Sequence, residues 1–191
     1  MKNYEVLTAA TSNILTLSEV KAHIKVDTND DDTLITNLLI ACTNSAQEYT
    51  NRFFIATTIK MIADTWQETK TLLKSKVTSI VSIQYYDVDD SLQTLSTSVY
   101  GSDLVSQPAR IFLKPNQSFP QLSERKGAIE VKYVVGQAGS DEVDDAIKQA
   151  VLLQIGNLYQ NRQSVVTGTI ATELPMNAKF LLDQYRVQVC R

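Results

Sequence analysis

The stretch DDDTLITNLLIACTNSAQEYTNRFF, residues 30–54, decides the predicted fold. Its apolar residues recur at steps of three and four, the period of one helix face: Ile35, Leu38, Leu39, Cys42, Ala46, Tyr49 and Phe53. Asp30, Asp31 and Asp32 are predicted to cap free backbone N–H groups, and Asn51 and Arg52 are predicted to close the helix. The opposite face is rich in Thr, Asn, Gln and Glu. A helix with one apolar stripe needs a partner that buries it.

A second single-striped helix begins at Asp141 and ends near Asn161 and Arg162. The two stripes are therefore predicted to pack together. The predicted contact joins two sets of residues: Leu38, Leu39 and Cys42 with Ile147, Val151 and Ile155. Two short helices complete the helical part. One follows the capping-box pair Thr16 and Glu19, and the other opens after Pro175.

The middle of the chain changes to a β pattern. The predicted strands are TTIKMIADTW from residue 57, VTSIVSIQYYDV from residue 77, LQTLSTSVY from residue 92, ARIFLK from residue 109 and GAIEVKYVVG from residue 127. The sequence therefore predicts an α+β fold, in which helices from both ends pack together as a small bundle and an antiparallel β unit is inserted between them in the chain. The predicted divisions are an N-terminal arm or short strand outside the core (1–15), a helical core (16–56 and 137–191) and the β unit (57–136).

Composition narrows the class of protein. The chain has 191 residues, of which 43% are apolar and 20% charged, and these values are ordinary for a soluble globular protein. The net charge of −3 argues against a general nucleic-acid-binding surface, which needs clustered Lys and Arg. No apolar run approaches the roughly 20 residues that span a bilayer, and the N-terminus lacks a signal-peptide pattern. We therefore expect a protein that is made and kept in a cytoplasm and has no membrane contact.

The sequence predicts no catalytic residue, no cofactor and no metal. The single histidine, His23, has no second ligand or nucleophile near it in the sequence, and Cys42 lies on an apolar helix face. The acidic run at 27–32 departs from a calcium loop, because Asp32 stands where that loop needs glycine. Tyr85 and Tyr86 are predicted to pack within a sheet, with base stacking as the alternative. The residues alone indicate a non-enzymatic assembly or binding protein.

Six segments in a fixed order resemble the head–tail connector (adaptor, or head-completion) proteins of tailed phages, prophages and gene transfer agents. They are LTLSEVKAHIKVD, DTLITNLLIACTNSAQEYTNR, VTSIVSIQYYDVDDSLQTL, GAIEVKYVVG, IKQAVLLQIGNLYQNRQSV and LPMNAKFLLDQYRV. The β unit matches the longer form of this family. The rival interpretations are a DNA-packaging accessory or nucleic-acid-handling protein, and a small ligand-binding β module.

The resemblance implies a structural virion protein without enzymatic activity. Such proteins form a ring, typically a dodecamer, beneath the portal protein. The ring extends the DNA channel, and DNA passes through it without sequence-specific binding. The ring also offers a docking surface to a tail-side connector or stopper protein. The implied location is the head–tail interface of the virion, with assembly in the host cytoplasm.

Two segments are the candidate contacts with the portal or with neighbouring subunits. The C-terminal YRVQVCR alternates like a strand and can pair with the sheet edge of another chain or within its own subunit. The loop from Gln163 to Glu173 has apolar patches. The candidate residues are Tyr185, Arg186, Val187 and Val189 in the C-terminal segment, and Val165, Val166 and Ile170 in the loop.

Overall fold

A computed structural model describes residues 4–161 and 175–187. In chain order its elements are β1 (Tyr4–Thr8), α1 (Leu17–Ile24), α2 (Asp32–Thr50), β2 (Thr57–Ala63), α3 (Trp66–Thr69), β3 (Val77–Tyr86), β4 (Leu92–Thr94), β5 (Tyr100–Asp103), β6 (Arg110–Leu113), β7 (Ile129–Val135), a 3-10 turn (Ser140–Glu142), α4 (Asp145–Gln160) and α5 (Met176–Asp183). The α+β fold class is therefore confirmed. None of the described helices is long and apolar enough to cross a membrane.

The β unit contains a five-stranded antiparallel sheet in the order β1-β2-β7-β3-β4, and β5 and β6 form a separate pair. In β2 and β7 every second residue is buried, as the alternating sequence predicts. Tyr133 of β7 is buried, and its hydroxyl donates to the carbonyl of Leu73 at 2.8 Å. This burial raises the pKa of Tyr133 above its usual range.

The return strand predicted at LQTLSTSVY is shorter than expected. Its first three residues form β4 and pair with β3, whereas Tyr100 begins β5 and pairs with β6. Between them, the hydroxyls of Ser96 and Ser98 lie 2.9 Å apart, and the Ser98 N–H donates to Ser96 Oγ. These local bonds favour a turn over continued pairing with β3. The segment predicted as one return strand therefore forms two strands, which belong to two different sheets.

The N-terminal residues include the short strand that was one of the two predicted alternatives, and they also contribute to the helical core. Residues 4–8 form β1 and pair with β2 at the edge of the sheet. Ile14 and Leu15 are 2% and 5% exposed and belong to the helical core, so the prediction that residues 1–15 lie outside the core is wrong for them. Leu15 directly precedes the N-cap residue Thr16, and Val20 lies four residues after Thr16. These are the two positions of a hydrophobic staple, which draws Leu15 into the core.

The helical core is formed where the apolar stripes of α2 and α4 meet. One buried cluster contains Leu39 and Cys42 of α2 together with Ile147, Val151 and Ile155 of α4. Leu38 packs against this cluster but is only partly buried. The predicted pairing of the two helices is thus confirmed. A second cluster, in the β unit, is built mainly from β2, β3 and β7. The predicted boundaries at residues 15, 56 and 136 stay a prediction.

The ends of the helices follow the sequence signals in part. At α1 the capping box is present: the Glu19 N–H donates to Thr16 Oγ1 at 3.2 Å, and the Thr16 N–H donates to the Glu19 carboxylate at 2.7 Å. The bonds from Thr16 hold the pKa of Glu19 below its usual range. At α2 the predicted side-chain capping bond is absent, whereas Asp32 lies in the first turn, where the helix dipole favours a carboxylate. Asp31 occupies the N-cap position without a side-chain capping bond, and its carboxylate accepts from the Tyr159 hydroxyl at 2.6 Å. That bond fastens the start of α2 to α4.

The chain passes twice through the junction between the helical core and the β unit. At this junction the Ala56 N–H donates to the carbonyl of Gln137 at 2.7 Å, and the Gln137 N–H donates to the carbonyl of Phe54 at 2.9 Å. Gly136 lies beside this crossing with φ +95°. A Cβ atom on Gly136 would lie 2.4 Å from the carbonyl oxygen of Ile55. Only a glycine therefore allows the two passages to come this close.

The buried thiol of Cys42 allows a first prediction. Burial raises the pKa of Cys42 to about 11, whereas the unfolded thiol titrates near 9.0. Only the unfolded thiol loses its proton between these values, so Cys42 stabilises the fold below pH 9 and loses that contribution as the pH rises toward 11. In a Cys190→Ser background we expect slow thiol labelling of the native protein at pH 8. Labelling as fast as in urea-unfolded protein would contradict this, and Cys42→Ala should remove the corresponding part of the pH dependence of stability.

Candidate assembly surfaces

The C-terminal segment lies against the end of α2. The Val187 N–H donates to the carbonyl of Thr50 at 3.0 Å, and the Val187 side chain is buried. Arg52 Nε donates to the carbonyl of Tyr185 at 2.5 Å. The guanidinium of Arg186, which is exposed, lies 5.2 Å from the centre of the Tyr49 ring. Up to Val187 the chain is therefore held by its own subunit, at the place where α2 ends.

A second contact fixes α5 to the same part of α2. The Tyr49 hydroxyl donates a short hydrogen bond to the carboxylate of Asp183, and this bond raises the pKa of Tyr49. Ala178 and Leu182 of α5 are buried in the helical core. α5 thus packs mainly against α4 and touches α2 through Tyr49, and it directs the chain toward Thr50.

The candidate contact residues predicted from the sequence fall into two groups. Tyr185 is half-buried, Arg186 is exposed and Val187 is buried, all against the chain's own α2. The remaining four lie outside the described residues: Val165, Val166, Ile170 and Val189. A contact of any of these residues with a portal or with another subunit stays a prediction.

One exposed surface was missed by the sequence interpretation, and we name it the α5 apolar face. It consists of Met176 and Phe180, which are 85% and 78% exposed and lie one helical turn apart. Of the large apolar residues described, only Val105, at 90%, is as exposed. The sequence does carry a signal for this face, because Met176 and Phe180 are two large apolar residues spaced four apart, on the side of α5 opposite Ala178 and Leu182. Side chains of this size exposed together are typical of an interaction site.

A second missed surface is a groove of about 410 Å³ between the N-terminal residues and α2, which we name the β1–α2 groove. Residues that line it include Val6, Ile40, Thr43, Asn44, Gln47 and Phe53. Ile40 is 44% exposed, and with Thr43, Asn44 and Gln47 it forms a stripe of α2 that faces away from the helical core. None of the described residues that line the groove is ionisable. Thr43 Oγ1 is buried there and has no hydrogen-bond partner among the described residues.

The tyrosines at the end of the β unit pack within the chain. The ring centre of Trp66 lies 5.7 Å from that of Tyr85 and is stacked on Phe119 at 4.5 Å. The guanidinium of Arg125 covers the ring of Tyr86 at 3.8 Å. The preferred prediction of packing, rather than of base stacking, is therefore confirmed, although the partners are not the expected cross-strand neighbours.

The side chains that the sequence offered for catalysis or metal binding do not form one cluster in the described structure. His23 is exposed on α1. No three His, Cys, Asp or Glu side chains of the described residues are grouped so that they could hold a metal ion. Asp32, in the acidic run, pairs with Lys21 of α1 at 2.7 Å. The pronounced features of the described surface are thus the α5 apolar face and the β1–α2 groove.

These features define a class of protein: an α+β chain with one helical core, one β core and exposed surfaces suited to assembly. Residues 13–187 match the head completion protein family, and the chain belongs to that family. No curated protein matches it.

The fold is similar to that of chains in solved structures of gene transfer agent (GTA) particles. One chain is in the neck of an empty GTA particle, computed with C6 symmetry (TM-score 0.77), and one is in the virion of a native particle (TM-score 0.79). A third is in the neck of a native particle, computed with C12 symmetry (TM-score 0.74). In each comparison the identity is 16%, and the match covers 98% of this chain and 97% of the other.

Proposed function

We propose that this protein is a structural head–tail connector that completes the head of a phage-like particle and has no enzymatic activity. The observation that carries the proposal is the family match over residues 13–187. The full-length similarity of fold to chains in particle necks supports it. The proposed location is the head–tail interface of the virion, after assembly in the host cytoplasm.

The proposed assembly is a ring of identical subunits beneath the portal protein, with a dodecamer as the expected number. A ring needs a contact in which one surface of a subunit meets a different surface of the next. The twelvefold symmetry used for one similar neck structure supports this number. The α5 apolar face and the β1–α2 groove are two different surfaces of the kind that such a contact needs.

The proposed ring extends the DNA channel and docks a tail-side connector or stopper protein. The net charge of −3, from 18 basic and 21 acidic residues, supports passage of DNA without tight binding. A surface that neutralised many phosphates would hold the DNA in place, because each such contact releases counterions and adds affinity.

The proposed contact with the portal involves Arg186 and the residues that follow Val187. Tyr185 and Val187 are fixed to α2, so Arg186 is the exposed candidate among these three. Its guanidinium also lies near Tyr49, which places a positive charge at the outer end of α2. The residues of the 163–173 loop are the second proposed contact.

The test of this function is a chain that ends at Val187. This truncation keeps the Val187–Thr50 bond, so we expect thermal unfolding like that of the full chain. We expect the truncated protein to leave filled heads without tails, as counted by electron microscopy. A control with residues 188–191 replaced by Gly-Ser-Gly-Ser separates the loss of side chains from the loss of length.

Normal yields of tailed particles from the truncated chain would show that residues 188–191 do not make the proposed contact with the portal. Native mass spectrometry of the full chain, with and without portal, tests the ring itself. A chain that stays monomeric with portal present and is missing from purified particles would overturn the proposed function.

A further inference from the structure

We infer that the α5 apolar face of one subunit docks in the β1–α2 groove of the next copy of the chain. This contact rests on the proposed ring and specifies which surfaces close it. The α5 apolar face is Met176 and Phe180, and the groove is the cleft in which Ile40 and Phe53 lie. The occupant of the groove is thus a second copy of this protein.

The positions of Ile40 and Tyr49 on α2 favour a second copy of the chain as the occupant of the groove. An α-helix advances about 100° per residue, so Ile40 and Tyr49, nine residues apart, point in opposite directions. Tyr49 bonds Asp183 of α5, whereas Ile40 lines the groove. The α5 apolar face and the groove therefore lie on opposite flanks of the same subunit. Opposite flanks are what a repeating head-to-tail contact requires, because each subunit must meet one neighbour on each side.

Charge is the second argument. The described lining of the groove contains no ionisable side chain, so a charged occupant would lose its hydration without gaining a partner. The two side chains of the α5 apolar face, Met176 and Phe180, are also uncharged. The exposed Lys179 and Asp183 border this face, and the Asp183 carboxylate accepts from Tyr49 of its own subunit. The two surfaces match in polarity.

The size of the groove agrees with this occupant. A groove of about 410 Å³ lies within the range of roughly 300–1,000 Å³ found for binding clefts, which admits large side chains such as those of Met176 and Phe180.

The experiment is cross-linking in assembled rings on the portal, in a Cys190→Ser chain. A chain with both Ile40→Cys and Phe180→Cys should give a ladder of linked subunits with a short thiol-reactive linker. A mixture of the two single variants should give dimers only, because each subunit then carries one introduced cysteine and can be linked to one neighbour. The matched control pairs Ile40→Cys with Val105→Cys, which is as exposed as Phe180 but lies in the β unit, and we expect no ladder.

A matched set of charged variants measures the strength of the contact. Ile40→Asp and Phe180→Asp place a charge at exposed positions, so melting of the free protein should stay unchanged. Each should weaken the subunit contact at least about tenfold, since each 1.4 kcal/mol of lost burial is a factor of ten. Val105→Asp should assemble like the original chain.

Several results would overturn the inference while the proposed function stands. These are full rings without an Ile40–Phe180 link, a link within a single chain, a link from Phe180→Cys to the portal or a tail-side protein, and normal assembly of both charged variants. If the unmodified chain forms no ring on the portal, the proposed function fails and the inference fails with it.

Discussion

Replacing Gly136 by alanine is expected to lower the free energy of unfolding by about 2–6 kcal/mol. A residue with a side chain at φ +95° carries backbone strain of about 1–3 kcal/mol. Its Cβ would also lie 2.4 Å from the carbonyl oxygen of Ile55, and relieving such overpacking costs about 1–3 kcal/mol more. The strand crossing at Ala56 and Gln137 would have to open, because backbone, unlike the end of a side chain, cannot rotate away. Urea unfolding followed by circular dichroism measures the loss.

Gly139→Ala is the matched control for this prediction. A Cβ atom at Gly139 meets nothing within 4 Å, and its φ of −144° is open to any residue. We expect a change of less than about 1 kcal/mol, with either sign, as for other compatible Gly→Ala replacements. Equal losses for Gly136→Ala and Gly139→Ala would show that the close approach at the junction does not contribute to stability.

Leu39→Ala is expected to cost about 2–5 kcal/mol of stability, the usual range for truncating a buried leucine. Leu39 is 2% exposed and lies in the cluster that joins α2 to α4. The cavity would open between two helices that are held apart by their other buried residues, so it cannot easily collapse. Thermal and urea unfolding of the variant check the value, and both should show a single transition at reduced stability.

The two neighbours of Leu39 provide an internal series. Leu38 is partly buried against the same cluster, so Leu38→Ala should cost less than Leu39→Ala. Ile40 is 44% exposed in the β1–α2 groove, and Ile40→Ala should change the stability by less than about 0.5 kcal/mol. The three losses should follow the order Leu39, Leu38, Ile40. Any other order would contradict this orientation of α2.

Much of the fold could be predicted because its signals are local. The three-four spacing on α2 and α4, the Thr16–Glu19 capping box and the alternation in β2 and β7 each specify an element and its buried face. Ile14 and Leu15 escaped prediction because two apolar residues are too few to form a period. Asp31 was misassigned because its partner, Tyr159, is distant in sequence, and a carboxylate beside a helix start looks like a cap.

The candidate surfaces were harder to predict than the fold. The alternation in YRVQVCR indicated a strand, yet Tyr185 and Val187 are fixed by bonds to Arg52 and Thr50, which only the folded chain brings near. The β1–α2 groove is formed by residues 6–14 and by the outer stripe of α2, and nothing in either segment alone indicates a cavity. For the α5 apolar face, the four-residue spacing of Met176 and Phe180 indicated an apolar side of the helix. The spacing alone cannot tell which side of a short helix packs against the rest of the chain.

Because Ala56 and Gln137 are adjacent in the fold, the segment between them can be gained, lost or replaced during evolution of the gene. One backbone bond of 2.7 Å links the residue that enters the β unit to the residue that leaves it. A few codons could therefore reconnect these points if the intervening segment were deleted, and a segment of another length could be inserted there with little change to the helices. Recombination between viral genomes can thus exchange residues 57–136 as one segment, provided that the new segment offers β1 a strand to pair with, because β1 lies outside this segment and pairs with β2.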